Sequence, residues 1–400
     1  MESYIMEWLY MLFRCLHVVT AVAWIGASFY FVWLDNSLEA PKDPELKKKG
    51  VDGELWAVHG GGFYNPQKYQ RSPKTLPKNL HWFYWESYTT WMSGFALFVV
   101  LYLYNASVYL IDPNLFPMTS AQAVGIALSF LGGGWLFYDL MCRIFGFRNK
   151  QLGMALALFI AGATYLACQI FPGRAAFLII GAMMATMMSA NVLFWIIPGQ
   201  KKVVADLKAG KAVDPIHGQR GKQRSVHNTY LTLPVLFCML SNHFNLMYSH
   251  ANNWALLIAM MLAAVLIRQF FILRHKEKIN WYFPAAGMTV IALVFISLAP
   301  LAKVNSYQAS DLVETVNIDE AFAIVQKRCY GCHANQPELM GGADAPKGII
   351  FESHEDLRKH ASSVMIQTVK LKTMPLGNIT KMTNEERRLI GRWFEQEASH

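Results

Sequence analysis

The amino-acid sequence predicts an all-α protein in two parts: a bundle of eight transmembrane helices, followed by a small helical domain outside the membrane. Three observations predict this organisation. The chain of 400 residues is 54% hydrophobic and only 16% charged, which is too apolar for a soluble domain of this size. Eight apolar runs are long enough to cross a bilayer. After Leu301 the composition becomes polar.

The first apolar run begins close to the N-terminus and is expected to remain in the protein as helix one. It carries Glu2 and Glu7 in place of a basic stretch, and it is much longer than the core of a signal peptide. Seven further runs follow along the chain. The eight predicted spans are Tyr4–Leu34, His81–Ile111, Thr119–Phe145, Leu152–Phe171, Arg174–Ile197, Asn228–Tyr248, Asn252–Leu273 and Trp281–Leu301.

Basic residues in the connecting loops predict the orientation of the bundle. They concentrate in the first, third, fifth and seventh loops, whereas the second and sixth loops hold no Lys or Arg. Because basic loops remain on the cytoplasmic side, the N-terminus and the C-terminal segment are expected outside. Topogenic loop charge also accounts for the net charge of +9, so no nucleic-acid partner is expected.

The C-terminal segment contains a C-x-x-C-H motif formed by Cys329, Cys332 and His333. Two thiols at this spacing can form thioethers to a haem while the adjacent histidine binds the iron, which is the signature of c-type haem. Such haems are attached on the outer side of the bacterial inner membrane, the side that the loop charges predict independently. We therefore expect a multi-pass protein of the bacterial inner membrane with a periplasmic haem c domain.

Two helices are predicted around this motif, as in a small class I-like cytochrome c. Ile318–Arg328 has the pattern of a short amphipathic helix that leads into the motif. Thr383 and Glu386 have the spacing of a capping box at the start of a last helix through Ala398. The predicted parts are a transmembrane domain (residues 1–302), a linker (303–313) and the cytochrome c domain (314–400).

A haem of this kind needs a second axial ligand, and Met374 is the best candidate. It lies just before the predicted last helix, and a thioether paired with histidine raises the haem potential, as suits an electron acceptor. Met340, Met365 and Met382 are the alternatives. Met365 has a helical pattern typical of a core residue, and Met340 lies in a glycine-rich turn.

Several polar residues fall inside the predicted spans, where their burial is costly and function is the first hypothesis. Asp139 and Arg143 are explained equally well as an i, i+4 ion pair at a helix end. A second group, at similar depth near the cytoplasmic side, could bind a polar substrate and take protons from it. This predicted catalytic group is His81, Glu86, Asn191, His227 and Asn228.

Nearer the outer side, His17 and His243 lie at similar predicted depth and could ligate a b-type haem. Arg14, one turn from His17, is placed to bind a haem propionate. Electrons collected near the cytoplasm must cross most of a bilayer about 30 Å thick, which gives such a carrier a physical reason. Without it, the substrate must bind deep in the membrane or near the outer face.

Three long segments resemble the membrane-integral urate oxidases of the PuuD type, and the resemblance extends over the whole chain. They are HWFYWESYTTW at 81–91, ANVLFWIIPGQ at 190–200 and QRSVHNTYLTLPVLF at 223–237, continuing to His243. The resemblance implies an eight-helix membrane domain fused to a C-terminal cytochrome c. It also implies oxidation of urate to 5-hydroxyisourate, with electrons passing to the cytochrome rather than to dioxygen to give hydrogen peroxide.

A second, shorter resemblance is confined to helix one. His17, followed by AWIGASFYF at 23–31, is similar to the first helix of CopD-type and HemJ-type membrane proteins, in which such a histidine is associated with haem or metal. This resemblance favours His17 as a haem ligand.

The expected partners follow from the urate resemblance. Urate is an anion near neutral pH, so Arg224, Lys68 and Arg71 at the cytoplasmic mouth would favour its capture. Membrane lipid surrounds the bundle, and a terminal cytochrome oxidase or a soluble cytochrome c would accept electrons downstream. The alternative function is an electron-transfer or haem-linked transport protein that feeds a cytochrome c without purine chemistry.

Overall fold

The computed structural model describes residues 2–69, 73, 76–113, 115–274, 278–299, 316–340, 345–370 and 372–397. The predicted linker 303–313 and Arg71 lie outside this described part. Within it the chain is mostly helical, with two small antiparallel sheets between the first two long helices.

Twelve helices precede the C-terminal segment in the described part, and four belong to it. The first twelve are α1 (Glu2–Ser37), α2 (Pro44–Lys49), α3 (Trp85–Phe98), α4 (Ala106–Tyr109), α5 (Ser120–Phe145), α6 (Asn149–Ile170), α7 (Gly173–Asn191), α8 (Ile197–Lys208), α9 (Pro215–Leu240), α10 (Asn245–Tyr248), α11 (Asn253–Arg274) and α12 (Tyr282–Leu298). The others are α13 (Ile318–Cys329), α14 (His354–Lys359), α15 (Ala361–Val364) and α16 (Asn384–Glu397). Wide, π-helical turns occur at Val99–Leu103, Val192–Ile196 and Met365–Lys370.

Five helices of the described part are long and apolar enough to cross a membrane. They are Tyr4–Ser37, Ser120–Phe145, Asn149–Ile170, Gly173–Lys208 and Asn253–Arg274. The apolar helix α12 is shorter. Each of the eight predicted runs coincides with a helix, but those at His81–Ile111 and Asn228–Tyr248 are not uniform spans.

The second and sixth runs depart from the prediction for different reasons. The helix that begins at Trp85 widens into a π-helical segment and ends at Leu103, so the predicted run is divided before α4. Helix α9 begins at Pro215, well before the predicted start at Asn228. Its first turns are polar, and hydropathy alone therefore misses them.

Helix α7 forms the centre of the bundle and packs against α5, α6 and α9. Its side chains are almost all buried, and close approach of its neighbours depends on small residues. A Cβ on Gly134 of α5 would lie 2.6 Å from Cγ of Met183, and one on Gly181 would lie 2.5 Å from Cβ of Cys238. Helix α1 packs mainly on α3 and exposes its other faces, as expected for a helix in lipid.

The loop after α1 forms two hairpin-like pairs of short strands. Strand β1 (Val51–Glu54) pairs antiparallel with β4 (Gln67–Tyr69), and β2 (Ala57–His59) pairs with β3 (Gly62–Tyr64). The connecting Gly60 and Gly61 both have positive φ, as a two-residue hairpin turn requires. Lys68 on β4 binds Asp35 near the end of α1 at 2.8 Å, which ties this loop to the bundle.

The C-terminal segment folds around its own apolar core, which includes Val325 of α13, Phe351, and Ile390 and Trp393 of α16. The predicted helix at Ile318–Arg328 is present as α13. The predicted capping box is also present, because Thr383 and Glu386 exchange side-chain and backbone hydrogen bonds at the start of α16. The turn Leu376–Asn378 contacts α4, so this segment rests on the end of the bundle opposite the basic loops.

Candidate functional site

One large cavity extends from the basic end of the bundle to the C-terminal segment, with a volume of about 2790 Å³. Its wall includes His217 and Lys222 at one end and Cys329, Cys332 and His333 at the other. Ordinary ligand pockets have volumes of roughly 300–1,000 Å³. The cavity can therefore hold more than one large ligand, and most of the predicted site residues lie in or beside its wall.

The C-x-x-C-H motif lies at the end of this cavity away from the basic loops, where α13 ends at Cys329. Nδ1 of His333 is 2.9 Å from the carbonyl oxygen of Ile349, a bond that orients the ring and leaves Nε2 available to a metal. Burial raises the pKa of the Cys329 thiol to about 12. A thioether is uncharged as well, so these residues fit a covalently attached haem.

Met374 lines the same cavity as the motif. Its backbone is held on both sides: its N–H donates to the carbonyl oxygen of Gln367 at 3.0 Å, and its carbonyl oxygen accepts from Arg387 at 2.7 Å. Met365 and Met382 are buried, and Met382 belongs to the apolar core of the segment. Met374 is therefore accessible from the cavity, whereas Met365 and Met382 are not in its wall.

His17 lies in the cavity wall between α1 and α3. Its Nδ1 is 3.0 Å from the carbonyl oxygen of Thr90 and 3.2 Å from Oγ of Ser93. Gly94 allows the ring to approach this closely, because a Cβ there would lie 2.7 Å from Cε1 of His17. A ring fixed through Nδ1 leaves Nε2 for a metal, the usual arrangement of a histidine ligand.

The other two residues predicted for a b-type haem also line the cavity. The guanidinium of Arg14 packs over Tyr10, one turn before His17. His243 lies in the turn after α9, next to Asn242, whose amide oxygen meets Tyr102 at 3.4 Å. Ser93, which contacts His17, and Tyr102, which contacts Asn242, are nine residues apart on the helix that begins at Trp85. At helical rise this separation is about 13 Å. The structure brings His17 and His243 into one cavity but at different levels.

The basic end of the bundle contains a buried ion pair that joins α5 to α9. Nη2 of Arg224 donates to Oδ1 of Asp139 at 2.6 Å, and both residues are almost fully buried. The indole N–H of Trp195 donates to the same oxygen at 2.7 Å, while Arg143 binds the other oxygen. The Asp139 carboxylate therefore links three elements: α5, α9 and the π-helical turn Val192–Ile196.

A chain of hydrogen bonds continues from this ion pair toward the cavity. Nη1 of Arg224 donates to Asn191 at 3.4 Å, and the amide nitrogen of Asn191 donates to Tyr138 and Asn228, each at 2.9 Å. The Tyr138 hydroxyl lies 2.8 Å from Nδ1 of His227. Asn228 is the member of this chain that lines the cavity.

The local sequence explains how Asn191 and Trp195 reach this network. Pro198 has no N–H to donate to the preceding turn, and the helix before it widens into the π-helical turn Val192–Ile196. On α9, Arg224, His227 and Asn228 follow at i, i+3 and i+4, so their side chains share one face. That spacing could have indicated from the sequence that the three side chains belong to one site.

The predicted catalytic residues are therefore divided by the structure. His81 and Asn228 line the cavity, His81 at its mouth at the basic end of the bundle, with its ring packed on Phe83. Asn191 and His227 lie one layer behind Asn228. Glu86 is half-buried in the first turn of α3 and lies outside the cavity wall.

Sequence reasoning missed the roles of Arg224, Tyr138 and Trp195. Arg224 was expected at an open mouth to attract an anion, but it is only 3% exposed and paired with Asp139. Its predicted position near the cytoplasmic end favoured an exposed side chain. The acidic partner that buries it, Asp139, lies on another helix. Lys68 lines the mouth as expected, although it also binds Asp35.

Comparison with known proteins identifies a family for the membrane part. The family model described as "Urate oxidase N-terminal" matches residues 3–299, which is most of the chain. A comparison with curated proteins found no match, and neither did a comparison with solved structures. The matched region contains His17, the hydrogen-bond chain at Asn228 and the whole of the helical bundle. The chain therefore belongs to the urate oxidase N-terminal family.

Proposed function

We propose that this protein is a membrane-bound urate oxidase that passes electrons to a haem c on its own C-terminal segment. The observation that supports this most is the single cavity shared by His81 and Asn228 at one end and by the C-x-x-C-H motif at the other. Family membership supplies the substrate class. The reaction is urate plus water to 5-hydroxyisourate, two protons and two electrons.

In this proposal urate occupies the cytoplasmic part of the cavity. Lys222 and Lys68 in the wall attract the anion. His81 is the titratable member of the predicted catalytic group that lines the cavity, and it acts as the base that removes a proton from urate. The amide of Asn228 is fixed by Asn191 and by the carbonyl oxygen of Met188, so it positions the purine.

The hydrogen-bond chain behind Asn228 holds the substrate-binding amide in place. The amide nitrogen of Asn191 donates both to Asn228 and to Tyr138, and Tyr138 contacts His227, so the chain fixes positions and does not carry protons. Both protons of the reaction leave through His81, which takes them one at a time and releases them at the cytoplasmic mouth. The electrons leave in the opposite direction, toward the outer end of the cavity.

The outer end of the cavity fits a haem c held by this chain's own residues. Cys329 and Cys332 would form the two thioethers, and His333, through Nε2, and Met374 would bind the iron. When bound, this group accepts one electron at a time, so two transfers follow each urate. A terminal cytochrome oxidase or a soluble cytochrome c then takes the electrons.

A b-type haem between the two ends would shorten each electron transfer. His17 lines the cavity and has its Nδ1 fixed, which leaves Nε2 for an iron, and Arg14 is placed for a propionate. His243, at another level of the wall, is the candidate for a ligand or a hydrogen-bond donor near the outer edge. Such a group supplies one-electron storage in the middle of the membrane.

The proposed location is the bacterial inner membrane, with eight spans, an outside N-terminus and a periplasmic haem c domain. The five apolar helices support a multi-pass membrane protein. The packing of the C-terminal segment on the end of the bundle opposite the basic loops supports the proposed sides.

Urate is expected to reduce the haem c of the purified full-length protein under anaerobic conditions, without formation of peroxide. The measurement is the visible absorption spectrum before and after addition of urate, with xanthine as the control purine. A haem that stays oxidised in excess urate would contradict the proposal. Reduction by a quinol but not by urate would instead favour an electron-transfer protein without purine chemistry.

Replacement of Met374 by leucine is expected to lower the midpoint potential of the haem c, because loss of a thioether ligand removes the stabilisation of ferrous iron. The measurement is a spectroelectrochemical titration. Met365→Leu is the matched control, since a buried Met-to-Leu change conserves volume and costs less than about 1.5 kcal/mol. A drop in the Met365 variant, with none in the Met374 variant, would reverse the assignment.

A further inference from the structure

Arg174 is the second residue of α7, at the outer end of the bundle, and its side chain lines the cavity. Its Nε donates to Oδ1 of Asn242 at 3.2 Å, and its guanidinium lies 5.6 Å from the centre of the Tyr109 ring. These contacts fix the guanidinium in the wall, although no described carboxylate forms an ion pair with it.

The C-terminal segment meets the bundle at this same place. Tyr109, which packs on Arg174, is close enough to Cys332 for the two ionisable groups to interact electrostatically. Helix α4, to which Tyr109 belongs, contacts Leu376–Asn378, the turn that directly follows Met374. The face of the segment turned toward the membrane is therefore the face with the haem motif and the Met374 loop.

A second pair of charges is consistent with the same docking. Asp112, in the loop after α4, lies within electrostatic range of Arg387 of α16. Arg387 in turn donates to the carbonyl oxygen of Met374 at 2.7 Å. The membrane part thus contacts the segment directly after Met374 and faces, at longer range, the arginine that holds the Met374 backbone.

A haem placed here needs cationic partners for its two propionate carboxylates, because a buried carboxylate without a partner is costly. Three arginines line the cavity: Arg14, which is proposed above for the b-type haem, Arg174 and Arg328. Arg328 is already paired with Glu386, with a shortest distance of 2.8 Å. Arg174 has its positive charge available on the cavity side.

We propose that Arg174 completes the haem c pocket from the membrane side: it binds a haem propionate and holds the reduction potential of the haem up. This inference rests on the proposed function, because it requires the haem c. In this arrangement the haem edge faces the bundle, where electrons arrive, and the membrane part itself sets how readily the haem accepts them. Arg174 is a positioning residue, not a catalytic one.

The test is a potentiometric titration of the haem c in the full-length protein, without urate. Arg174→Gln is expected to shift the reduction equilibrium about tenfold toward the oxidised haem, which corresponds to a fall of about 59 mV for one electron. Arg174→Lys keeps the charge and is expected to retain most of the potential. Arg148→Gln is the matched control, because Arg148 is exposed at the opposite end of the bundle and donates to the last carbonyl groups of α5.

An unchanged potential in Arg174→Gln, or an equal fall in Arg148→Gln, overturns the inference. The proposed function is tested separately by addition of urate to the same samples. A haem reduced by urate with an unchanged potential in Arg174→Gln defeats the inference alone. A lowered potential with no reduction by urate supports the Arg174 contact and defeats the urate proposal. Protein without any c-type haem contradicts both.

Discussion

Replacement of His17 by alanine is expected to remove b-type haem from the purified protein while the c-type haem stays attached through Cys329 and Cys332. Nδ1 of His17 is already held by the carbonyl oxygen of Thr90 and by Oγ of Ser93, as in a preorganised metal ligand. Reduction of haem c by urate is expected to slow by orders of magnitude. A pyridine haemochrome spectrum and stopped-flow absorbance measure the two effects.

A change at Gly94 tests the same site without removing the histidine. Gly94→Ala places a Cβ 2.7 Å from Cε1 of His17, so the ring must move and the b-type signal should weaken. Gly125→Ala on α5 is the control, because its added Cβ meets no atom within 4 Å. A spectrum with only c-type haem in the unmodified protein would remove the b-haem proposal altogether.

His243→Ala then distinguishes two arrangements of that haem. Loss of the b-type signal would make His243 the second axial ligand and would require a shift of the turn at Ser241–His243 toward His17. Retention of the signal with an altered potential would place His243 at the outer edge of the group. The different levels of the two histidines in the cavity favour the second result.

Replacement of Arg224 by methionine is expected to destabilise the membrane domain by about 3–5 kcal/mol. The change leaves the buried carboxylate of Asp139 without its principal cationic partner, and it also removes a donor to Asn191. Thermal unfolding of the detergent-solubilised protein, followed by circular dichroism, measures the loss. Poor yield of folded protein would be the same effect in a stronger form.

Arg143→Met is the matched control, because Arg143 binds the same carboxylate from the exposed end. Its side chain is 65% exposed, against 3% for Arg224. Exposed ion pairs contribute about 0–1 kcal/mol, so this variant should unfold close to the temperature of the unmodified protein. Equal destabilisation by the two variants would show that the stabilisation by the Arg224–Asp139 pair does not depend on the burial of Arg224.

The sequence predicted the helices best where apolar length alone defines them. Helices α1, α5, α6 and α11 lie close to their predicted bounds, since a run that meets lipid or a packed core on every side has no polar interruptions. Helix α9 begins well before the predicted span, because Gln223 and Arg224 at its polar end find partners on α5, α6 and the turn between them. A hydropathy pattern records composition along one helix, whereas those partners belong to other helices.

The same limit applied to the candidate site. Spacing identified Cys329, Cys332 and His333, because the chemistry of a c-type haem fixes residues that are adjacent in sequence. The pairing of Arg224 with Asp139 joins residues on separate helices, and no periodicity predicts which faces meet. Pro198 marks a break in the preceding helix, but its position alone does not show that the π-helical turn before it brings Trp195 to that carboxylate.

The length of the cavity has a consequence for the membrane as a barrier. Its wall runs from Lys222 at the basic end to the haem motif at the other, so a water-filled cavity would offer protons a path through the bundle. A cell that maintains a potential across this membrane would lose energy through each such protein. Whatever occupies the cavity therefore has to act as a plug as well as an electron carrier. Synthesis of the polypeptide and supply of its haem would then have to be matched for the sake of the membrane itself.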